Sequence, residues 1–303
     1  MAAPVPLPRH LILVPGCQVL RRDHDTLQVG VGDRQLPAPD LPAVRALLAR
    51  LRDGAANGPL NELPHVAASL LCALLDRGLV VDSEPVLRQL GATETPWQRE
   101  QLAAALLEHP DAVTRAAHRA TLRVRLVAPG LPTWARHTRT LLAASGLAVA
   151  DDGSSAADVA LLISAGPVPR PQLDAWMQED LPHLLVGADG ARVRLGPFVV
   201  PGASTCLRCI DAHRADVDPA FPLLIEQRST AATPTALPAP IAHDLVGIGV
   251  AMAVRELTTW SADEVPITLD HTVEVDPGLT FPTTPWQRHP GCGCGWHQAV
   301  GTG

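Results

Sequence analysis

The sequence predicts a protein of the α/β class that is built from two parts. Residues 1–88 read as strands and helices in the order β-β-β-α-α-β, which is the outline of a small winged helix-turn-helix. From Thr121 onward, strand-like and helix-like segments alternate, a pattern typical of a largely parallel sheet. We therefore expect a winged-helix domain over residues 1–88, a helical connector over 89–120 and an α/β domain over 121–303.

The elements of the first part follow from hydrophobic periodicity. Apolar residues in alternation predict strands, and apolar residues three and four apart predict helices. In chain order these are one or two strands over 10–23, a half-buried strand over Thr26–Leu36, a helix over 41–52, a second helix over 65–77 and a strand over Leu79–Val81. Gly78 supplies the stop signal of the second helix.

The second predicted helix is apolar on more faces than one small core requires. Either the second domain covers the surplus, or the helix and the strand Thr26–Leu36 form an apolar groove in which an extended peptide pairs with the strand edge. The residues expected to contact such a peptide are Gln28, Val29, Gly30, Val31, Gly32, Ala67, Leu71 and Leu75. The only cation of this helix, Arg77, lies at its end, which disfavours a role in reading DNA.

The second part is expected to alternate strands with helices and to end with a long apolar helix and a strand. The expected elements are a strand over 122–130, a helix over 132–146, a strand over 158–164, a helix over 170–180, a strand over 183–189, a strand pair over 191–202, a helix over 239–260 and a strand over 266–275.

A nucleotide site is not expected in this α/β part. The diagnostic turn follows the first strand, at residues 128–137. That turn contains one glycine, Gly130, followed by Pro132 and Trp134, whereas close approach of the backbone to a phosphate requires several glycines. A GxG sequence at Gly247 and Gly249 falls inside the long apolar helix, where helix packing is the better explanation.

Composition and charge exclude further classes of function. The net charge of −7 argues against sequence-independent binding of nucleic acid, which depends on positive charge. All 24 basic residues are arginines, so neither a Schiff-base lysine nor a phosphate-loop lysine can be present. The N-terminus lacks the pattern of a secretory signal, and the most apolar stretch, Leu245–Val254, is too short to span a bilayer. We therefore expect a cytoplasmic protein without membrane contact.

Four of the six cysteines form two close pairs. Cys206 and Cys209 form a CxxC sequence, Cys292 and Cys294 form a CxC sequence, and turn-forming residues flank both pairs. Four thiolates suit tetrahedral Zn²⁺ and leave no open position, which predicts a structural ion. A redox-active CxxC and unmetallated buried thiols are the alternatives. The remaining two, Cys17 and Cys72, are expected in the core.

No catalytic residue is assigned from the sequence. The most conspicuous polar group is a run of charged or titratable residues after the CxxC pair: Asp211, His213, Arg214, Asp216 and Asp218. Such a run is typical of the solvated face of a helix. A docking surface or an acid–base patch is the alternative.

Two segments of the second part resemble the signature of a known family. The block GPFVVPGASTCLRCIDAHRADVDPAFPLL (Gly196–Leu224) and the later HPGCGC (His289–Cys294) are similar to segments of the ThiF-like partner proteins of YcaO cyclodehydratases. Those enzymes act in the biosynthesis of ribosomal peptides modified with thiazole and oxazole rings. The likeness extends over Thr121–Trp296. It implies a ThiF/MoeB-like fold, zinc thiolates from the four paired cysteines, and a PqqD-like peptide-recognition domain at residues 1–88.

The resemblance implies a leader-peptide-binding partner that is not itself an enzyme. It implies that a separate YcaO cyclodehydratase uses the ATP, while this chain binds the precursor's leader and presents its core Cys, Ser and Thr residues. Zn²⁺ is then the only expected cofactor, no nucleic acid is expected as a partner, and homodimer formation stays open. The alternatives are a ThiF/MoeB-like enzyme that adenylates a peptide and a winged-helix DNA-binding regulator.

Overall fold

A computed structural model describes residues 10–54, 62–93, 95–150, 156–166, 168, 170–230 and 240–294. The chain divides into two compact units, Met1–Ala117 and His118–Gly303. It has a mixed α/β fold with one large sheet, which lies in the second unit. None of the helices in the described part of the chain combines the length and the apolar character needed to cross a membrane.

The described residues of the first unit form two small sheets and a set of helices. β1 (Leu11–Leu13) pairs antiparallel with β5 (Val80–Asp82). β2 (Val19–Arg21), β3 (Thr26–Val29) and β4 (Leu36–Pro39) form an antiparallel sheet with β3 in the middle. The helices are α1 (Pro42–Asp53), α2 (His65–Asp76), α3 (Ser83–Gly91), α4 (Pro96–Glu108) and α5 (Ala112–Thr121), and the boundary between the units falls within α5.

The prediction of one strand over Thr26–Leu36 is wrong, because this segment forms two strands. Gly30 and Gly32 adopt positive φ values of 78° and 68°, which end β3, and a short 3-10 turn leads into β4. β2 and β4 pair with β3 on its two sides. The backbone of β3 therefore offers no free edge, and a peptide cannot add to it as the sequence interpretation required.

Four of the apolar side chains of α2 are buried within the first unit. Ala67, Leu70, Leu71 and Leu74 pack with α1, β1, β4 and β5 in one core cluster. Ala67 and Leu71 are each 1% exposed and Val29 is fully buried, so these three residues cannot line an open groove. This burial corrects their assignment as peptide contacts.

The segment predicted as a connector packs on the first unit. Leu102, Leu106 and Ala112, from α4 and α5, are buried against Val14 and Val86. The compact unit accordingly extends to Ala117, well past residue 88.

The second unit is built on a seven-stranded sheet in the order β12-β11-β10-β9-β8-β6-β7. Its strands are β6 (Arg123–Val127), β7 (Ala148–Val149), β8 (Val159–Ala165), β9 (His183–Asp189), β10 (Arg192–Val199), β11 (His271–Val275) and β12 (Thr283–Pro285). β6 to β9 are parallel, and β10, β11 and β12 each run antiparallel to the strand before them.

The sheet is therefore mixed, although the sequence predicts a largely parallel one. A tight turn at Gly190, with a φ of 63°, joins β9 to β10, and so short a connection permits only antiparallel pairing. The predicted strand pair over 191–202 is the single strand β10.

Helices cover both faces of this sheet. They are α6 (Pro132–Ala144), α7 (Arg170–Gln178), α8 (Leu207–Val217), α9 (Phe221–Thr230) and α10 (His243–Trp260). Leu161 and Ile163 of β8 are buried in the cluster that contains α6 and α10, whereas Ala160 and Leu162 are buried with α7. Burial on both faces explains why β8 is an unbroken apolar run.

Gly249 lies where α10 approaches the sheet closely. A Cβ atom at Gly249 would lie 2.7 Å from Cγ1 of Val193, whereas one at Gly247 would lie 3.5 Å from the ring of Trp134, an ordinary contact. Helix packing therefore accounts for Gly249, as the sequence predicts.

We expect Gly249→Ala to destabilise the second unit by about 1–3 kcal/mol, because the added methyl group overpacks the contact with Val193. Gly247→Ala is the matched control in the same helix. It is expected to leave the free energy of unfolding unchanged or to raise it by up to about 1 kcal/mol, since alanine is the better helix former. Urea unfolding measures both, and equal effects would contradict the close approach at Gly249.

Candidate metal centre and its surroundings

The structure brings the four paired cysteines together. Cys206 is the N-cap of α8 and Cys209 lies in its first turn. Cys292 and Cys294 flank Gly293, whose φ of 73° bends the chain so that both side chains turn toward the helix start. Cys206 and Cys209 are 4% and 0% exposed, and Val199 and Met177 pack beside them.

The spacing of the four sulfur atoms suits a tetrahedral ion. The Sγ–Sγ distances are 3.7 Å for Cys206–Cys209, 3.5 Å for Cys206–Cys292 and 3.4 Å for Cys209–Cys294, and all four sulfurs lie within 4.8 Å of one another. A tetrahedral zinc ion with bonds of about 2.3 Å separates its sulfur ligands by about 3.8 Å. The donor set and its spacing therefore fit Zn²⁺.

The protonation of these thiols reflects their crowding. The hydrogen bond between Cys206 and Cys209 raises the pKa of Cys206 and lowers the pKa of Cys209, because the two sulfurs share one proton. Burial raises the pKa of Cys292 to about 12. Four thiolates this close repel one another strongly, and a divalent cation that replaces the protons would relieve the repulsion.

Hydrogen bonds hold the C-terminal loop against α8. His213 donates through Nε2 to the carbonyl oxygen of Gln287 at 2.9 Å, and His289 Nε2 lies 3.0 Å from a carboxylate oxygen of Asp216. On the other side of the cysteines, the amide of Thr205 donates to Asp270 at 2.6 Å. Two of the five residues in the polar run after the CxxC pair, His213 and Asp216, therefore brace the loop that carries Cys292 and Cys294.

The donor atoms of His213, Asp216 and His289 also lie within 4.8 Å of one another. Nδ1 of His289 accepts the amide hydrogen of Gly291 at 3.1 Å, which leaves Nε2 as the protonated nitrogen that donates to Asp216. Both ring nitrogens are thus used within the protein. This group is a hydrogen-bonded brace rather than a second set of metal ligands.

A cavity of about 310 Å³ lies beside the cysteines. Cys206, Cys292 and Cys294 contribute to its wall, together with Met177 and His183. The cysteine cluster is therefore buried on the side of α8 and borders this cavity on another side.

His183, which also lines the cavity, is uncharged near pH 7. Burial lowers the pKa of its imidazole to about 4.

The turn after β6 lies where the sequence predicts it. β6 ends at Val127 and α6 begins at Pro132, with Gly130 as the one glycine between them. The indole of Trp134, in the first turn of α6, donates to Nδ1 of His243 at 2.9 Å. The turn does not contain the run of glycines that a phosphate cradle needs.

The residues predicted to contact a peptide do not form one groove. Gln28 is half-buried on β3, Gly30, Val31 and Gly32 lie in the β3–β4 connection, and Leu75 is half-buried on α2. Val31 is 60% exposed. Ala68, Cys72 and Leu75 form an apolar stripe of α2 that remains partly or fully accessible beside the exposed polar residues His65, Ser69 and Asp76, so the prediction that Cys72 is a core residue is wrong.

The fold of the chain is similar to that of several solved structures. A heterocyclase in complex with substrate and cofactor matches with a TM-score of 0.64 and 16% identity, over 94% of this chain and 39% of that chain. The heterocyclase TruD matches with a TM-score of 0.65 and 16% identity, over 97% of this chain and 44% of its own. MccB of E. coli with ATP matches with a TM-score of 0.59 and 13% identity, over 94% of this chain and 99% of its own.

The chain thus spans less than half the length of these heterocyclases and corresponds to almost all of MccB. At these identities the likeness establishes a common fold. No protein-family model matches the chain, and no curated protein sequence matches it.

Proposed function

We propose that this chain is a peptide-binding partner that recruits a ribosomal precursor peptide and presents it to a separate YcaO-type cyclodehydratase. The observation that supports this most directly is that 94% of the chain matches 39% of a heterocyclase whose structure is a complex with substrate and cofactor. The chain therefore corresponds to one part of such an enzyme. In this proposal the chain itself performs no chemistry on the peptide, and the partner forms the azoline rings.

A structural zinc ion is part of this proposal. Cys206, Cys209, Cys292 and Cys294 would hold it, and their spacing and burial support the assignment. The ion would link the start of α8 to the C-terminal loop and so close a long stretch of chain, which opposes unfolding. Four protein ligands leave no position for substrate or water, so the ion would have no catalytic role.

We place the leader peptide in the first unit, along the outer edge of β4 beside α2. β4 contacts α2, and Ala68, Cys72 and Leu75 of that helix remain accessible to apolar side chains of a peptide. Thr26 and Gly30 form backbone hydrogen bonds with the β2 side, and Gln28, which lies between them in the strand alternation, directs its backbone polar groups the same way. The Gln28–Pro37 pair is therefore not hydrogen-bonded, and the carbonyl of Pro37 faces outward. The peptide would donate to this carbonyl, and its side chains would contact α2.

The second candidate function is adenylation of a peptide by this chain. It is favoured by the match to MccB, whose structure contains ATP and which the chain covers over 99% of its length. The turn after β6 argues against it, because Gly130 alone does not provide a phosphate cradle. A DNA-binding role has less support, since the exposed polar residues of α2 are His65, Ser69 and Asp76, with no arginine, asparagine or glutamine to read bases, and the net charge of the chain is −7.

Reconstitution separates the two functions. The precursor peptide, Mg-ATP, the chain and a YcaO protein encoded beside it are combined, and each component is omitted in turn. We expect loss of water from the peptide and ATP consumption only when both proteins are present. We also expect calorimetry to detect no micromolar binding of Mg-ATP to this chain alone. Release of pyrophosphate by the chain and peptide without the YcaO protein would overturn the proposal in favour of adenylation.

A further inference from the structure

A second cavity, of about 200 Å³, lies on the face of the large sheet that α7 covers. Its floor consists of alternate residues of two neighbouring strands, Gly187 and Asp189 of β9 and Arg192 and Arg194 of β10, which project from the same face. Its walls come from the start of α7 and from α8 and α9. Gly187 keeps the floor open because it has no side chain.

Five arginines line this space, which we call the arginine cavity: Arg170, Arg192, Arg194, Arg214 and Arg228. Three carboxylates accompany them, since Asp189 and Glu274 also line the cavity and Asp211 pairs with Arg170. The cavity therefore has an excess of positive charge in a chain whose net charge is −7.

Four of the five guanidinium groups have a carboxylate nearby. Asp211 accepts two hydrogen bonds from Arg170, at 2.9 and 2.8 Å. Asp189 accepts one from Arg228 at 2.7 Å. Glu274 pairs with Arg192 and lies 3.8 Å from Arg194, so that one carboxylate serves two arginines.

Arg214 differs from the others. Among the residues that the structure describes, no carboxylate lies within ion-pair distance of its guanidinium group, which instead lies over the rings of Phe221 at 5.4 Å and Trp286 at 5.7 Å. Burial, followed by the positive charge of Arg194, lowers the pKa of Arg214, and the more distant carboxylate of Asp211 only partly opposes this shift. A half-buried cation that lies over aromatic rings, next to other cations and outside ion-pair distance of a carboxylate, is a group that an anion would stabilise.

We propose that the arginine cavity binds an oxyanion group, either a carboxylate or a phosphate, with Arg214 as its principal donor. The planar guanidinium fork matches both kinds of anion and can donate two parallel hydrogen bonds to either. The volume of about 200 Å³ suits a single such group or a small acid and is below the usual size of a pocket for a whole nucleotide. This inference goes beyond the proposed function and does not depend on it.

Calorimetric titration of the full chain with sodium phosphate and with sodium succinate, at low ionic strength, tests the proposal. We expect saturable binding of at least one of the two anions. Arg214→Gln is expected to weaken that binding at least about tenfold, because a charge-assisted hydrogen bond is lost. The matched control is Arg136→Gln, at an exposed arginine of α6 outside the cavity, which is expected to bind like the wild type.

The two anions distinguish the sources of the ligand. Binding of phosphate alone indicates a phosphoryl group, and binding of succinate alone indicates a carboxylate, such as an acidic side chain or the end of a peptide. Should Arg214→Gln fail to fold in a melting experiment, Arg194→Gln removes a second cavity cation from the sheet and is expected to weaken binding in the same direction. The proposal is overturned when neither anion saturates the wild type, or when folded variants at both positions bind as the wild type does.

Discussion

Replacement of Cys209 by serine is expected to abolish zinc binding and to destabilise the second unit by several kcal/mol, on the order of the free energy with which a structural site binds its metal. Cys209 is fully buried, and its sulfur lies between those of Cys206 and Cys294. A serine hydroxyl there would be a poor zinc ligand. It would also leave three crowded thiols without the cation that offsets their repulsion.

Elemental analysis and urea unfolding measure this effect together. Cys72→Ser is the matched control, because Cys72 is exposed on α2 and lies outside the cluster. The control is expected to retain one zinc ion per chain and the stability of the wild type. Wild-type protein that contains no zinc after gentle purification would contradict the assignment, as would a Cys209→Ser variant that keeps both metal and stability.

The sequence was sufficient to predict the convergence of the four cysteines, because each pair is local and both pairs belong to recognisable motifs. Most strands and helices of the second unit were also predictable from periodicity. The direction of the strands was not, since a period of two is the same in parallel and antiparallel strands. The turn at Gly190 decides that direction, and its Asp189–Gly190 dipeptide is a hairpin signal that the sequence interpretation did not use.

The peptide groove could not be predicted correctly for a related reason. Alternation across Thr26–Leu36 suggested one strand, but Gly30 and Gly32 end β3 and return the chain as β4. The apolar faces of α2 indicated burial without indicating which element covers them. The structure shows that α1 and the strands of the same unit do so.

The arginine cavity could not be predicted from the sequence, because its residues come together only in the folded chain. Arg192 and Arg194 are alternate residues of one strand, so a shared face could be expected for them, but Arg170 and Arg214 are distant from them in sequence. The shared face of β9 and β10 and the position of α8 place these arginines around one space. A sequence motif consists of residues close together in the chain, so it cannot reveal a site whose residues are distant in sequence.

A substitution on the accessible side of α2 is expected to have a second large effect, on the affinity for the leader peptide. Leu75→Asp should weaken binding of the leader peptide at least about tenfold, because a leucine that contacts the peptide would be replaced by a charge that must lose water on binding. Leu75 is half-buried and lies on the accessible stripe of the helix. Leu87→Asp is the matched control, since Leu87 is 61% exposed on α3 in the same unit.

A variant at the other outer edge of the small sheet tests the choice of β4. Val19→Pro removes a backbone donor from β2, whose residues are all exposed. It should leave the affinity for the leader unchanged. Weaker binding by Val19→Pro together with normal binding by folded Leu75→Asp would move the peptide to β2 and contradict the groove beside α2.

Fluorescence anisotropy of a labelled leader peptide, titrated with the full wild-type chain, is the most direct test of the claim that this protein recruits a precursor. The leader is taken from the short Cys-, Ser- and Thr-rich precursor that we expect to be encoded beside this chain, and a peptide of the same composition in shuffled order is the control. The account predicts saturable binding of the leader that unlabelled leader displaces and the shuffled peptide does not. Absence of saturable binding, or equal displacement by the shuffled peptide, would contradict it.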